Sequence, residues 1–272
     1  MPKIKKIGRF CPVDDEGFII NDAHFNKIQP VFWEVIQEIK DTCCQLLRDD
    51  LHSVYIRGSI PRGIGIEGVA DVDMIILVRK DPQIIDLRWR KKLEAQIAQQ
   101  FNCISGVELS FYSEKEVINS EDFSFIGFMI KTHSVCIFGE DVKLYLPKYK
   151  VGQEIAYEHL IQLRKQIEQV RKELIHNQDL DDIEDCCRWI MKIIIRAGLA
   201  LTIDRERLYS RDLYPAYALF SKHFPEQEKN MRTALQYVIE PIKDIEEILS
   251  LLDMFGDWLI EKVEDYLKNI QT

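Results

Sequence analysis

Nowhere in this 272-residue chain do eighteen apolar residues run together, so no membrane-spanning helix is expected. The opening, MPKIKKIGRFCPVDDEGF, is basic but lacks the apolar stretch of a secretory signal, so a cytoplasmic location is expected. Cys-x-x-Cys pairs are also missing. The seven cysteines stand at 11, 43, 44, 103, 136, 186 and 187, an odd count with neither a disulfide framework nor zinc-ligand spacing, and reduced thiols fit better. The six histidines show no ligand spacing, and there is no internal repeat or low-complexity segment. Excess positive charge is lacking as well, with a net charge of −9. Phosphate neutralisation drives most nucleic-acid binding, so long nucleic acid is disfavoured as a partner unless one face carries a basic stripe. A small or cationic substrate is compatible.

What is present is 46% hydrophobic, enough for one large domain or two moderate ones. Residues 25–49 carry Ile28, Val31, Phe32, Val35, Ile36 and Ile39 at helical spacing, with Pro30 suited to the first turn. HSVYIRG reads as a strand stopped by glycine. DVDMIILVRKD reads as a second strand, apolar enough after its opening to be central. PQIIDLRWRKKLEAQIAQQF reads as an amphipathic helix, CISGVELSFYS as a third strand, and FIGFMIKTHSVCIFG as one or two further extended pieces. After about residue 152 strand signals stop and every apolar pattern has a period near 3.6 residues. LPKYKVGQ, with Gly152, reads as the hinge. Ligands are expected in the cleft between an α/β half and a helical half.

The join between the first two strands, YIRGSIPRGIGIEGVADVDMIILV, carries the chemistry. Alternate residues of a strand share a face, so Asp71 and Asp73 are aimed together. Adjacent carboxylates repel and are costly to bury unpaired; a divalent cation resolves the conflict, and Mg²⁺ is commonly held by one or two carboxylates plus substrate phosphates. Gly58 permits close approach to the backbone, and Ser59 reads as a helix start whose free N–H groups and dipole favour phosphate. Glu108, in GVELSF, can face the same side from an antiparallel or neighbouring strand. It is either a third metal ligand or a general base for an attacking hydroxyl. Arg57 and Arg62 flank the loop and could reach phosphate, but exposed arginines are common and neither is counted in the site.

Gly58-Ser59, Asp71-Val72-Asp73 and Glu108 together resemble the nucleotidyltransferase superfamily typified by DNA polymerase beta. Within it, the chain is most similar to the aminoglycoside adenylyltransferases that act on streptomycin and spectinomycin. The resemblance implies an α+β fold: a nucleotidyltransferase domain over residues 1–151 with a mixed β-sheet flanked by helices, then an α-helical bundle over 152–272 that completes the nucleotide and substrate cleft. It implies ATP as donor, Mg²⁺ held by Asp71, Asp73 and Glu108, Glu108 as the catalytic base, and an antibiotic-resistance type of activity. IIIRAGLALTIDRERLYSRDLYPAY resembles the region that brings basic residues to the triphosphate, which places Arg196 and Arg211 with Gly58 and Ser59 as nucleotide-binding residues. Arg211 stands where lysine is usual, and Ala70 where the family has serine before its first aspartate. In NQDLDDIEDCCRWI the resemblance gives acceptor contacts to Asp182, Asp185 and Trp189.

Other readings stay open. Acids at a helix start also serve as a solvated, dipole-matched cap. The fold also suits a toxin or regulator that modifies protein or tRNA, or a non-catalytic nucleotide-binding module. Arg171 and His176 have the Arg-x4-His spacing of HEPN-type ribonucleases, which arises easily by chance on a long helix.

Overall fold

A computed structural model describes residues 4–120 and 122–270. The chain forms two compact units. One is Pro12–Tyr149; the other joins the helices from Lys150 onward to the segment that ends at Cys11.

In the first unit α1 (Trp33–Leu47), β1 (Leu51–Arg57), β2 (Asp71–Val78), α2 (Arg90–Gln100), β3 (Gly106–Ser113), α3 (Glu114–Ile118), α4 (Phe125–His133) and β4 (Ser134–Gly139) follow in order. The four strands make one mixed sheet in the order β3-β2-β1-β4. β1 runs antiparallel to β2 and β4. β2 and β3 are parallel, as the intervening crossover through α2 requires. One face packs Val54, Ile56, Val72, Met74, Ile76, Val78 and Leu109 into a core with Val35, Ile36 and Ile39 of α1 and Leu93 and Ile97 of α2. On the other face Tyr55, Ile75 and Leu77 are buried too. There the Tyr55 hydroxyl accepts from the Val142 N–H at 2.7 Å and donates to Asp141 Oδ1 at 3.2 Å. β2 therefore reads as apolar throughout its length except at the start, where that second face carries carboxylates.

Two expectations need correction here. Pro30 and Pro82 open short 3₁₀ turns, Pro30–Phe32 and Pro82–Ile84, and the α-helices start later, at Trp33 and Arg90. The stretch 125–139 is a helix followed by one strand. Ser124 caps α4 by accepting from the Gly127 N–H at 3.1 Å, and six of the helix's nine residues are buried with none exposed, which removes the solvated polar face a period of 3.6 needs to be seen.

The second unit contains α5 (Gln153–Leu160), α6 (Leu163–Leu174), α7 (Leu180–Ala200), α8 (Ile203–Glu206), α9 (Leu213–His223), α10 (Glu228–Ile239), α11 (Ile245–Leu251) and α12 (Asp257–Ile270). α7 is its centre and packs against α5, α6, α9 and α10. A Cβ at Gly198 would meet Phe220 Cδ2 at 2.8 Å, so α9 can lie close on α7 only over a glycine. α11 and α12 are joined by a π-helical turn, Leu252–Gly256. Arg171 donates to the Leu252 carbonyl at 3.0 Å and pairs with Asp253 at 3.0 Å and Asp257 at 2.8 Å. The guanidinium thus satisfies a carbonyl of the irregular turn.

The segment before Pro12 is pinned to the loop ahead of α9. The Cys11 N–H donates to the Tyr209 carbonyl at 2.8 Å, and the Arg9 N–H to Asp212 Oδ2 at 3.0 Å. Ser210 Oγ donates to the Arg9 carbonyl at 2.7 Å. Gly8 has φ +103°, and a Cβ there would come within 2.5 Å of Asp212 Cβ. No helix of the described residues is long and apolar enough to cross a membrane.

Candidate active site

Register builds the site. Arg57 lies opposite Asp73, and Asp73 opposite Glu108, so the last residue of β1 and two acids of the neighbouring strands form one row. Directly opposed residues share a face of the sheet. Asp71 is two residues earlier on β2 and therefore on that face as well, at the exposed start of the strand. Asp73 is buried, whereas the Glu108 side chain is 60% exposed. Beneath Asp73 is Gly58, with φ +91°; a Cβ there would stand 2.8 Å from Asp73 Oδ2. Glycine is thus needed twice at this position, for its backbone conformation and for the room it leaves the carboxylate.

The row contains its own cation. Arg57 Nη2 is 3.5 Å from Asp73 Oδ1 and 3.4 Å from Glu108 Oε1, and its side chain is 15% exposed. Ser110 Oγ donates to the same Glu108 oxygen at 3.3 Å. Among the described residues no three His, Cys, Asp or Glu side chains converge as a ready-made metal cluster. The donor set still fits Mg²⁺, which takes hard oxygen ligands and commonly needs only one or two carboxylates when substrate phosphates supply others. Asp73, Glu108 and Asp71 on one face offer that chemistry.

The loop after Gly58 differs from expectation. No helix follows Ser59. A turn does, in which Gly63 N–H donates to the Ile60 carbonyl at 3.0 Å and Ile64 N–H to the Ser59 carbonyl at 3.1 Å. The helix-dipole argument for phosphate at Ser59 therefore falls, while the glycine-bordered backbone remains. The loop is held in place: Gln29 Nε2 donates to the Gly65 carbonyl at 3.0 Å, and Arg62 Nε pairs with Asp22 Oδ2 at 3.1 Å. The Arg62 side chain is 8% exposed. Both flanking arginines, set aside from the sequence as surface residues, are half-buried and ion-paired. Arg57, set aside from the sequence, joins the row through the pairing of β1 with β2, a register that the long loop between the two strands does not reveal.

In the helical unit Asp182, Asp185, Trp189 and Arg196 all lie on α7, at spacings of 3, 4 and 7 residues, along one stripe of the helix. The cap itself is Asp179, which accepts from the N–H groups of Asp181 and Asp182. Asp182 accepts from Asn177 Nδ2 at 2.7 Å, and Asp185 pairs with Arg188 at 3.0 Å. Trp189 is exposed. Arg196 and Arg211 are half-buried, and both act on His159. The His159 ring stacks on Tyr209, with Nε2 3.0 Å from the Tyr209 hydroxyl. Burial, then the positive charges of Arg196 and Arg211, hold its pKa down at about 3. Arg196 and Arg211 thus sit in one electrostatic neighbourhood, around an imidazole that stays neutral at neutral pH.

That histidine carries a pH dependence with a definite sign. The folded value lies below the unfolded one of 6.5, so the unfolded chain takes up the proton first as pH falls. The contribution is complete above about pH 6.5 and is lost progressively below it. Between about pH 6.5 and pH 5 the wild type is expected to lose about 1–2 kcal/mol more stability than His159→Gln. Urea denaturation of both proteins at the two pH values checks this; equal losses would contradict it.

No family model matches the chain, and no curated protein matches it by sequence. Solved structures do match. One is a spectinomycin adenyltransferase, AAD(9) from Enterococcus faecialis, crystallised with ATP and spectinomycin. It superposes with a TM-score of 0.53 at 15% identity, over 85% of this chain and 99% of the other. The mixed four-stranded sheet with its flanking helices, followed by the helical unit, is the fold shared with that enzyme.

Proposed function

We propose that the chain is a nucleotidyltransferase that moves AMP from ATP to a hydroxyl of a small acceptor of the aminoglycoside or aminocyclitol type. The observation that carries this reading is the row of Asp73 and Glu108 on adjacent strands, with the Asp73 carboxylate lying over Gly58. The shared fold with an adenyltransferase solved with ATP and spectinomycin supports it.

In this reading the backbone at Gly58 and Ser59 meets the donor's phosphates. Arg196 and Arg211 are assigned to the phosphates on the sequence resemblance, which their common neighbourhood around His159 supports. Asp73, with Asp71 and Glu108, would hold Mg²⁺, which when bound supplies charge neutralisation on the phosphates. Glu108, the most solvent-accessible member of the row, takes the proton from the acceptor hydroxyl. The acceptor oxygen forms a bond to the α-phosphorus as the bond from that phosphorus to the bridging oxygen breaks, and pyrophosphate leaves. The products are the adenylylated acceptor and pyrophosphate. Positioning and charge account for most of the acceleration in such a transfer. The acids and tryptophan of the α7 stripe, Asp182, Asp185 and Trp189, suit a polycationic acceptor.

The test is incubation with labelled ATP and Mg²⁺, with and without streptomycin or spectinomycin. Label is expected on the drug. Label on protein or RNA would replace the small acceptor with a macromolecular one, and nucleotide binding without any transfer would make the chain a binding module. The Arg171 guanidinium is engaged by Asp253, Asp257 and the Leu252 carbonyl, which disfavours the ribonuclease reading.

A further inference from the structure

Arg57 has no role in the transfer described above, yet it sits between the two carboxylates that matter most. A well-made charge-assisted N–H···O contact is about 2.7–2.9 Å long. The contacts of Arg57 with Asp73 and Glu108 are 3.5 and 3.4 Å, so the guanidinium bridges both acids without seating squarely on either. It is largely shielded from water, where its charge counts for more than it would at the surface. Arg57 is also the last residue of β1, immediately ahead of Gly58 and Ser59, the backbone assigned to the phosphates. Guanidinium groups bind phosphate oxygens in a bidentate manner that a loosely bridged carboxylate pair does not offer.

We propose that Arg57 is a displaceable counter-ion, which partly offsets the charge of Asp73 and Glu108 while no donor is bound and exchanges them for phosphate oxygens when a divalent cation arrives with the nucleotide. This rests on the nucleotidyltransferase reading of the same site. A cation arriving alone must evict the guanidinium and gains no phosphate ligand in return, so it binds poorly. A cation arriving with a nucleotide brings the anion that takes the guanidinium away. Metal and nucleotide affinities are then coupled, each raising the other by the same factor.

The probe is Mn²⁺, followed by the loss of its free-ion electron paramagnetic resonance signal on titration into full-length, nucleotide-free protein. Arg57→Gln and Arg57→Met both remove the charge, and methionine keeps an aliphatic stem in the half-buried position. Removal of the competing cation is expected to tighten the binding of Mn²⁺ alone about tenfold. The same variants are expected to bind ATP in the presence of Mn²⁺ about tenfold more weakly, since the phosphate partner is gone. Arg57→Lys, which retains the charge, should keep the weak wild-type affinity for Mn²⁺ alone. Circular dichroism identifies which variants are folded. If the folded charge-removing variants bind Mn²⁺ alone no more tightly than the wild type, the counter-ion role is overturned. A wild type that binds no ATP in the presence of Mn²⁺ instead overturns the nucleotidyltransferase reading, whatever the Mn²⁺ comparison gives.

Discussion

Asp73→Asn is expected to cost the transfer reaction about a thousandfold or more in kcat, with the fold intact. The substitution is nearly isosteric. The amide fits above Gly58 where the carboxylate lies now, and β2 keeps its register with β1 and β3. What changes is charge. Asp73 is the buried acid of the row, and a neutral amide there removes the anionic oxygen that a divalent ion requires. The loss should persist at saturating ATP, because a fully bound donor does not restore the charge balance at the reacting phosphate. Labelled-ATP kinetics with a parallel thermal melt make the measurement. Full activity in a folded Asp73→Asn protein would remove Asp73 from the chemistry.

Glu108→Gln separates the two roles left open for that residue. As general base, Glu108 supplies about 10²–10⁴ of the rate, and its loss should appear in kcat with the KM for ATP changed little. As a metal ligand first and foremost, its loss should instead raise the Mg²⁺ concentration needed for half-maximal rate, and excess Mg²⁺ should restore kcat. The expected result is the former, since the side chain is exposed at the edge of the row, where an acceptor hydroxyl can reach it. For the same reason the change in folding stability should stay within about 0.5 kcal/mol, as for other surface substitutions. Restoration of kcat by Mg²⁺ would reassign Glu108 to the metal.

Much of the sheet was legible in the sequence because a strand's alternation is local. Asp71 and Asp73 sit two residues apart on β2, and every residue between Met74 and Val78 is apolar because both faces of a central strand are covered. That Glu108 could share the face of Asp71 and Asp73 was readable once two strands were set side by side; its direct opposition to Asp73 comes from the register. The departures share one cause, which is that they depend on partners distant in the chain. α4 has no exposed residue, so no solvated face marks its period. The turn after Ser59 is fixed by contacts with residues of the 22–29 segment, such as Asp22 and Gln29. Arg57 reads as one more surface arginine until β2 and β3 bring carboxylates to it. His159 has no signature at all; burial and the charges of Arg196 and Arg211 give it its character.

The segment that runs up to Cys11 bears on how the molecule can be taken apart. Gly8 and Arg9 rest on Asp212, next to Arg211, so the helical unit is assembled from two stretches of sequence far apart along the chain. A recombinant fragment that starts at Lys150 would lack the strap that holds the 209–212 loop. A peptide spanning residues 4–11, added separately, is the missing half of that contact. The unit Pro12–Tyr149, in contrast, is contiguous and can be excised in one piece.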